Sequence, residues 1–180
     1  SWKNIVEIGN YGYDLWAIDA NGQFYYAGVS KNEKASNFDL SDFSSIKKVQ
    51  FGNDWLLGLT TDGKIVASKD RNNDYGYLLP SEIKNISQKV NDIIISDYWV
   101  FALQEDGTVV AARFDKDKSD DYSKCISAVQ TGLSTWKGIV YVQSVAHGVI
   151  GEDIHGNVYF QSTSSVSSVS ASTYVYTIVN

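Results

Sequence analysis

The chain has 180 residues, of which 43% are hydrophobic and 13% aromatic, enough to bury the core of one domain and to exclude a wholly disordered protein. Fifteen basic against 21 acidic residues leave a net charge of −6, which repels phosphate backbones and excludes general nucleic-acid binding. No apolar run approaches the ~20 residues of a membrane helix, so no membrane insertion is expected. The lone Cys125 excludes an internal disulfide, and two histidines leave little for a zinc site.

Methionine is absent and the chain opens Ser1-Trp2, which reads as a processed product or a piece of something longer. The lean toward Ser, Asn, Thr and Tyr with one Cys is common in bacterial surface and secreted proteins, so an extracellular or cell-surface location is expected.

Taken in chain order, one pattern recurs four times. The first copy runs IVEIG (5–9), DLWAI (14–18), Asn21-Gly22 and QFYYA (23–27). The second runs KVQFG (48–52), WLLGL (55–59), Asp62-Gly63 and KIVAS (64–68). The third runs DIIIS (92–96), WVFAL (99–103), Asp106-Gly107 and TVVAA (108–112). The fourth runs IVYVQ (139–143), GVIGE (148–152), His155-Gly156 and NVYFQ (157–161). An Asn-Gly or Asp-Gly pair between β-branched and aromatic runs is a hairpin signal, so each copy holds three strands.

Aligning Val6, Val49, Ile93 and Val140 spaces the copies by 43, 44 and 47 residues. The hairpin glycine then lies 13 residues beyond Gly9 and Gln143 in the outer copies, and 11 beyond Gly52 and Ser96 in the middle ones. That difference reads as a loop variation at the first turn. A fourth strand is expected in the variable stretch of each copy. No segment spaces apolar residues at i, i+3, i+4 and i+7 over more than ten residues, so helices are not expected. The Ser-rich stretch 162–172 reads as a loop or edge strand before a last strand at 173–179. The fold class is all-β: one propeller domain over 1–180, with repeats near 2–44, 45–88, 89–134 and 135–180. A closed monomer is expected, sealed by the last strand. The alternative is part of a larger ring, completed by a second chain.

The string from Phe51 through Asp62-Gly63 to Ala67 resembles the repeat of the regulator of chromosome condensation family, and Asn73-Asp74-Tyr75-Gly76-Tyr77-Leu78 is similar to its N-x-x-G-Q-L segment. Ala27-Gly28 and the run Glu105 to Ala111 carry the likeness into two more copies. The resemblance implies a propeller. The family's histidine opening the second strand is replaced by Asp14, Trp55 and Trp99, with His147 near it in the last copy. The founding member is a seven-bladed exchange factor, and four copies cannot supply that surface, so its activity does not carry over. Bacterial proteins with such repeats resemble adhesive and carbohydrate-acting surface proteins.

Candidate chemistry is sparse. Asp115 to Asp121 alternates acids as a calcium loop does, yet Asp120 and Ile126 stand where an EF-type loop needs glycine and glutamate, so a solvated loop is expected. Cys125 with His147 or His155 forms a nucleophilic pair only in contact, and His155 fits turn geometry. Glu152 and Asp153 point to opposite faces of a strand. No catalytic residue and no cofactor is expected.

Trp55, Trp99 and Asp14 share one repeat position and would ring one propeller face with His147, while Asn53, Asp54 and Asp97 beside them offer hydroxyl partners. That set suits stacking on a sugar. The competing reading has the tryptophans wedging sheets together. Tyr75, Tyr77 and Tyr98 are candidates for a protein interface. A non-enzymatic module of a longer protein, binding a glycan or a protein, is the expected function. A scaffold packing on its parent's other domains is the alternative, and a hydrolase the second.

Overall fold

The computed structural model describes residues 1–27, 38–52, 55–69, 79–96, 98–113, 120–163 and 173–177. Four antiparallel sheets follow one another along the chain, each built from consecutive strands. Sheet one holds β1 (Ile5–Tyr11), β2 (Asp14–Asp19) and β3 (Phe24–Ala27). Sheet two holds β4 (Ile46–Phe51), β5 (Trp55–Thr60) and β6 (Ile65–Lys69). After a single helical turn, α1 (Ser81–Lys84), sheet three holds β7 (Val90–Ser96), β8 (Trp99–Gln104) and β9 (Val109–Arg113). A helix, α2 (Asp120–Leu133), precedes sheet four, which holds β10 (Ile139–Val145), β11 (Gly148–Asp153), β12 (Asn157–Ser162) and β13 (Thr173–Thr177). The chain divides into two compact units, Ser1–Leu79 with sheets one and two and Pro80–Asn180 with sheets three and four.

The register is identical in all four sheets and corrects the alignment read from the sequence. The opening residues Ile5, Ile46, Val90 and Ile139 pair with Asp19, Thr60, Gln104 and Asp153, and a bulge follows each of them. Val49 and Ile93 are therefore equivalent to Ile8 and Val142, which pair with Ala17 and Gly151. Val6 and Val140 sit in the bulges and are exposed, so matching them to the buried Val49 and Ile93 slipped the outer copies by two residues. Each hairpin glycine (Gly22, Gly63, Gly107, Gly156) lies 17 residues after its opening residue, and the loop variation expected at the first turn is absent. Each bulge lets the same bond form across the sheet: Ala20, Thr61, Glu105 and Ile154 donate their N–H to the carbonyls of Asn4, Ser45, Lys89 and Gly138.

Within each unit the two sheets join in the same way. Ile46 N–H donates to Gly22 O (2.8 Å) and Ile139 N–H to Gly107 O (3.2 Å), tying a hairpin turn to the start of the next sheet. At the strands' other end the Tyr11 hydroxyl donates to Gly52 O (2.7 Å), and Ser96 Oγ donates to Val145 O (3.1 Å). An aromatic residue three places ahead of the opening residue fills the joint. Phe43 lies over Gly58 and Trp136 over Gly151, where a Cβ would come within 2.9 and 2.6 Å of the ring. The cores follow from this: Trp16, Ile18, Phe24, Phe43, Val49 and Leu56 in unit one, and Phe101, Leu103, Val109, Trp136, Val142 and Val149 in unit two.

Among the described residues the expected fourth strand appears only in sheet four, where β13 falls inside the 173–179 reading. After sheet three the chain forms α2 instead, which overturns the expectation of no helices. Cys125, Val129 and Leu133 are buried at helical spacing, and Ile126 packs beside them. Gln130 of α2 accepts the Ala111 N–H at 3.1 Å and donates to Val109 O at 3.5 Å. Its side-chain amide thus takes main-chain bonds on β9 that a fourth strand would otherwise take, and a covered edge no longer invites another strand.

Candidate functional site

The position opening each second strand holds Asp14, Trp55, Trp99 and Gly148, as the repeat alignment had it. The structure places the Asp14, Trp55 and Trp99 side chains inside. Trp55 and Trp99 are each 2% exposed. The Trp55 indole lies over Gly52, where no Cβ fits. Trp99 stacks on Phe101 at 6.1 Å, and its cross-strand partner Arg113 sets its guanidinium 5.6 Å from the ring, a cation–π contact. Asp14 is buried and accepts the Tyr26 hydroxyl at 2.9 Å. A sugar needs a ring face open to solvent, so the observed burial fits the packing reading of both tryptophans. Asn53, Asp54 and Asp97 lie outside the described residues, as do Tyr75 and Tyr77.

One residue earlier the pattern reverses. Eight places after the opening residue stand Tyr13, Tyr98 and His147, at the tips of two-residue turns closed by Tyr11–Asp14, Ser96–Trp99 and Val145–Gly148, while the corresponding Asp54 lies outside the described residues. Tyr13 is 89% exposed, Tyr98 42%, and His147 is exposed with φ 58. A histidine tolerates that left-handed conformation better than most residues, and its carbonyl accepts the Thr163 N–H at 2.8 Å. The structure therefore brings His147 and Tyr98 to equivalent turn tips and adds Tyr13, which the sequence reading missed. Counting from Ile5, Ile46, Val90 and Ile139 finds it, but only once the bulges set the register.

The hairpin turns carry the strongest electrostatics. The Asp153 carboxylate accepts Asn157 Nδ2 (2.9 Å), the N–H groups of Asn157 (2.9 Å) and His155 (2.8 Å), and the Tyr159 hydroxyl (2.9 Å). These donors, the Asn157 amide first, hold its acid far below the ordinary carboxylate range, and the bond to Asp153 raises Tyr159. Asp19 repeats the arrangement with Gln23, Asn21 and Tyr25, and is lowered too. A carboxyl lowered in the folded state stabilises above its unfolded value of about 3.9, and the benefit fades as pH falls toward the folded value. The melting temperature is therefore expected to drop below about pH 4, less steeply in Asp153→Asn, as a pH series of thermal melts reads directly. These carboxylates lock the turns.

The other candidates disperse. Residues 115–119 of the acidic run lie outside the described part, and Asp120-Asp121 open α2. Among the described residues no three His, Cys, Asp or Glu gather as metal ligands. Cys125 is buried on α2, whereas His147 and His155 are exposed on turns.

Four equivalent antiparallel meanders in sequence invite comparison with known proteins. No protein-family model and no curated protein matches the sequence. Solved structures do match: human WBSCR16 aligns over 90% of this chain and 48% of its own, at TM-score 0.59 and 10% identity. Yeast RCC1 (Prp20), solved with Kap60 bound, aligns over 90% and 44%, at 0.54 and 13%. The computationally designed Ika4 protein aligns over 88% and 90%, at 0.54 and 13%. The fold is all-β and propeller-like. At such identity the likeness shows the fold alone, and the chain spans about half the length of the two natural proteins. The four sheets are its blades.

Proposed function

We propose that this chain is a non-enzymatic recognition module that binds a protein partner through the first turns of the blades in unit two, at Tyr98 and His147. The observation that carries this is the exposure of Tyr98 and His147 at one register position of two joined blades, where the next residue, Trp99, is buried. Tyrosine offers a large, rigid, amphipathic contact at low entropic cost and is enriched in interfaces. The named partners of Prp20, which are Kap60, Gsp1p and histones, are proteins, and that precedent on the same fold supports a protein ligand. A longer extracellular bacterial protein is the setting that the Ser-, Asn-, Thr- and Tyr-rich composition supports.

Selection from a displayed-peptide library, with a glycan array alongside, tests the proposal. Selected peptides are expected to bind about tenfold more weakly to Tyr98→Ala and to His147→Ala, with melting temperatures unchanged. Peptide binding indifferent to both substitutions, or binding confined to glycans, overturns it.

A further inference from the structure

The carboxylates of the hairpin turns follow a pattern. Fourteen places after the opening residue stand Asp19, Thr60, Gln104 and Asp153, and two places further on stand Asn21, Asp62, Asp106 and His155. Each turn thus holds one carboxylate at these two positions and not two. In the first and fourth blades it comes first, where Asp19 and Asp153 accept the N–H groups of Asn21 and His155, both at 2.8 Å. In the second and third it comes second, where Asp62 accepts the Thr60 hydroxyl and Asp106 the Thr108 N–H. A second carboxylate at either place would be held beside the first, and like charges that close repel.

Asn21 is the residue that can break this pattern unaided. It is followed by Gly22, the one Asn-Gly pair in the chain. Its side chain is exposed, so water reaches the amide. Asparagine is thermolabile, and a following glycine has no side chain to hinder its own nitrogen from reaching that amide.

We propose that Asn21 is a site of spontaneous deamidation, and that its conversion loosens the joint between the first two blades. The Gly22 nitrogen attacks Cγ of Asn21. An N–C bond forms, the bond from Cγ to the side-chain nitrogen breaks, and that nitrogen leaves as ammonia with the proton given up by Gly22. Water then opens the five-membered imide, at the side-chain carbonyl to give aspartate or at the main-chain carbonyl to give isoaspartate. Both products carry a carboxylate in a turn that already holds Asp19. The isoaspartyl product also adds a methylene to the main chain ahead of Gly22, whose carbonyl accepts the Ile46 N–H at 2.8 Å and ties the turn to the second blade. The folded turn restrains the first step, because the Gly22 N–H that must be given up donates to Asp19 O at 2.9 Å.

Incubation of the whole chain in warm, mildly alkaline buffer, followed by peptide mapping, tests this beside a free peptide of residues 15–29. Asn21 is expected to convert about tenfold more slowly than in the peptide, since one main-chain bond must open first, and to give isoaspartate among its products. The Asn21→Asp chain has the carboxylate without the extra methylene. It is expected to melt about 2–4 °C below the parent at low salt, and to approach the parent at about 1 M salt, which screens exposed charges. The aged parent is expected to melt lower than Asn21→Asp, whereas an aged Asn21→Ser chain is expected to keep its melting temperature. An Asn21 that stays intact through about a hundred half-lives of the peptide overturns the site. An aged parent that is converted at Asn21 yet melts as the fresh protein does overturns the loosening of the joint.

Discussion

Trp99→Ala is expected to cost about 3–5 kcal/mol of folding stability, the range for deleting a large buried aromatic. The indole is 2% exposed, stacks on Phe101 and lies under the Arg113 guanidinium, so truncation opens a cavity and removes both contacts. Domains of this size hold only about 5–15 kcal/mol in all, so the loss is visible as a displaced urea midpoint. Trp99→Phe keeps a ring on Phe101 and is expected to lose about half as much. Had the indole faced a ligand instead, truncation would have stayed within about 0.5 kcal/mol, as surface changes do. The denaturation curve therefore separates packing from recognition without any ligand in hand.

Gly22→Ala is expected to cost about 3 kcal/mol or more, and Gly156→Ala only about 1–2 kcal/mol, although both glycines occupy the same turn position with φ 76 and 79. The left-handed backbone penalises any added Cβ equally at the two sites. At Gly22, however, that Cβ meets the Ser45 backbone at 2.8 Å, whereas at Gly156 it meets nothing within 4 Å. Ser45 cannot retreat without stretching the Ile46 N–H to Gly22 O bond, worth about 1 kcal/mol. Chemical denaturation of the pair measures the difference, which is the contribution of the joint between the first two blades. Equal losses would show that the turn alone sets the cost and that the joint yields.

Much of the fold was legible because it is local. Asn21-Gly22, Asp62-Gly63 and Asp106-Gly107 are flanked by β-formers, and such turns specify their hairpins from adjacent residues. The helix α2 is legible as well, since Cys125, Val129 and Leu133 hold helical spacing. The bulges were not legible. An apolar residue at a bulge, such as Val6 or Val140, is indistinguishable by type from a core residue such as Val49, and only the pairing with Asp19 or Asp153 reveals the slip. The candidate site was aligned correctly, and there a single residue decides. Moving attention one residue, from Trp99 to Tyr98, exchanges the inner face for the outer turn.

By itself the sequence determined the number of blades, the place of each hairpin glycine and the two faces of every strand, because turn chemistry and alternation act between neighbours in the chain. Which of those faces is buried was decided by tertiary structure alone. Ile8 and Val49 are β-branched, share a register and pair with Ala17 and Gly58, yet one is 63% exposed and the other buried. Val49 packs on Trp16 and Ile18 of the neighbouring blade, and burial is a property of what lies across a face rather than of the residue on it.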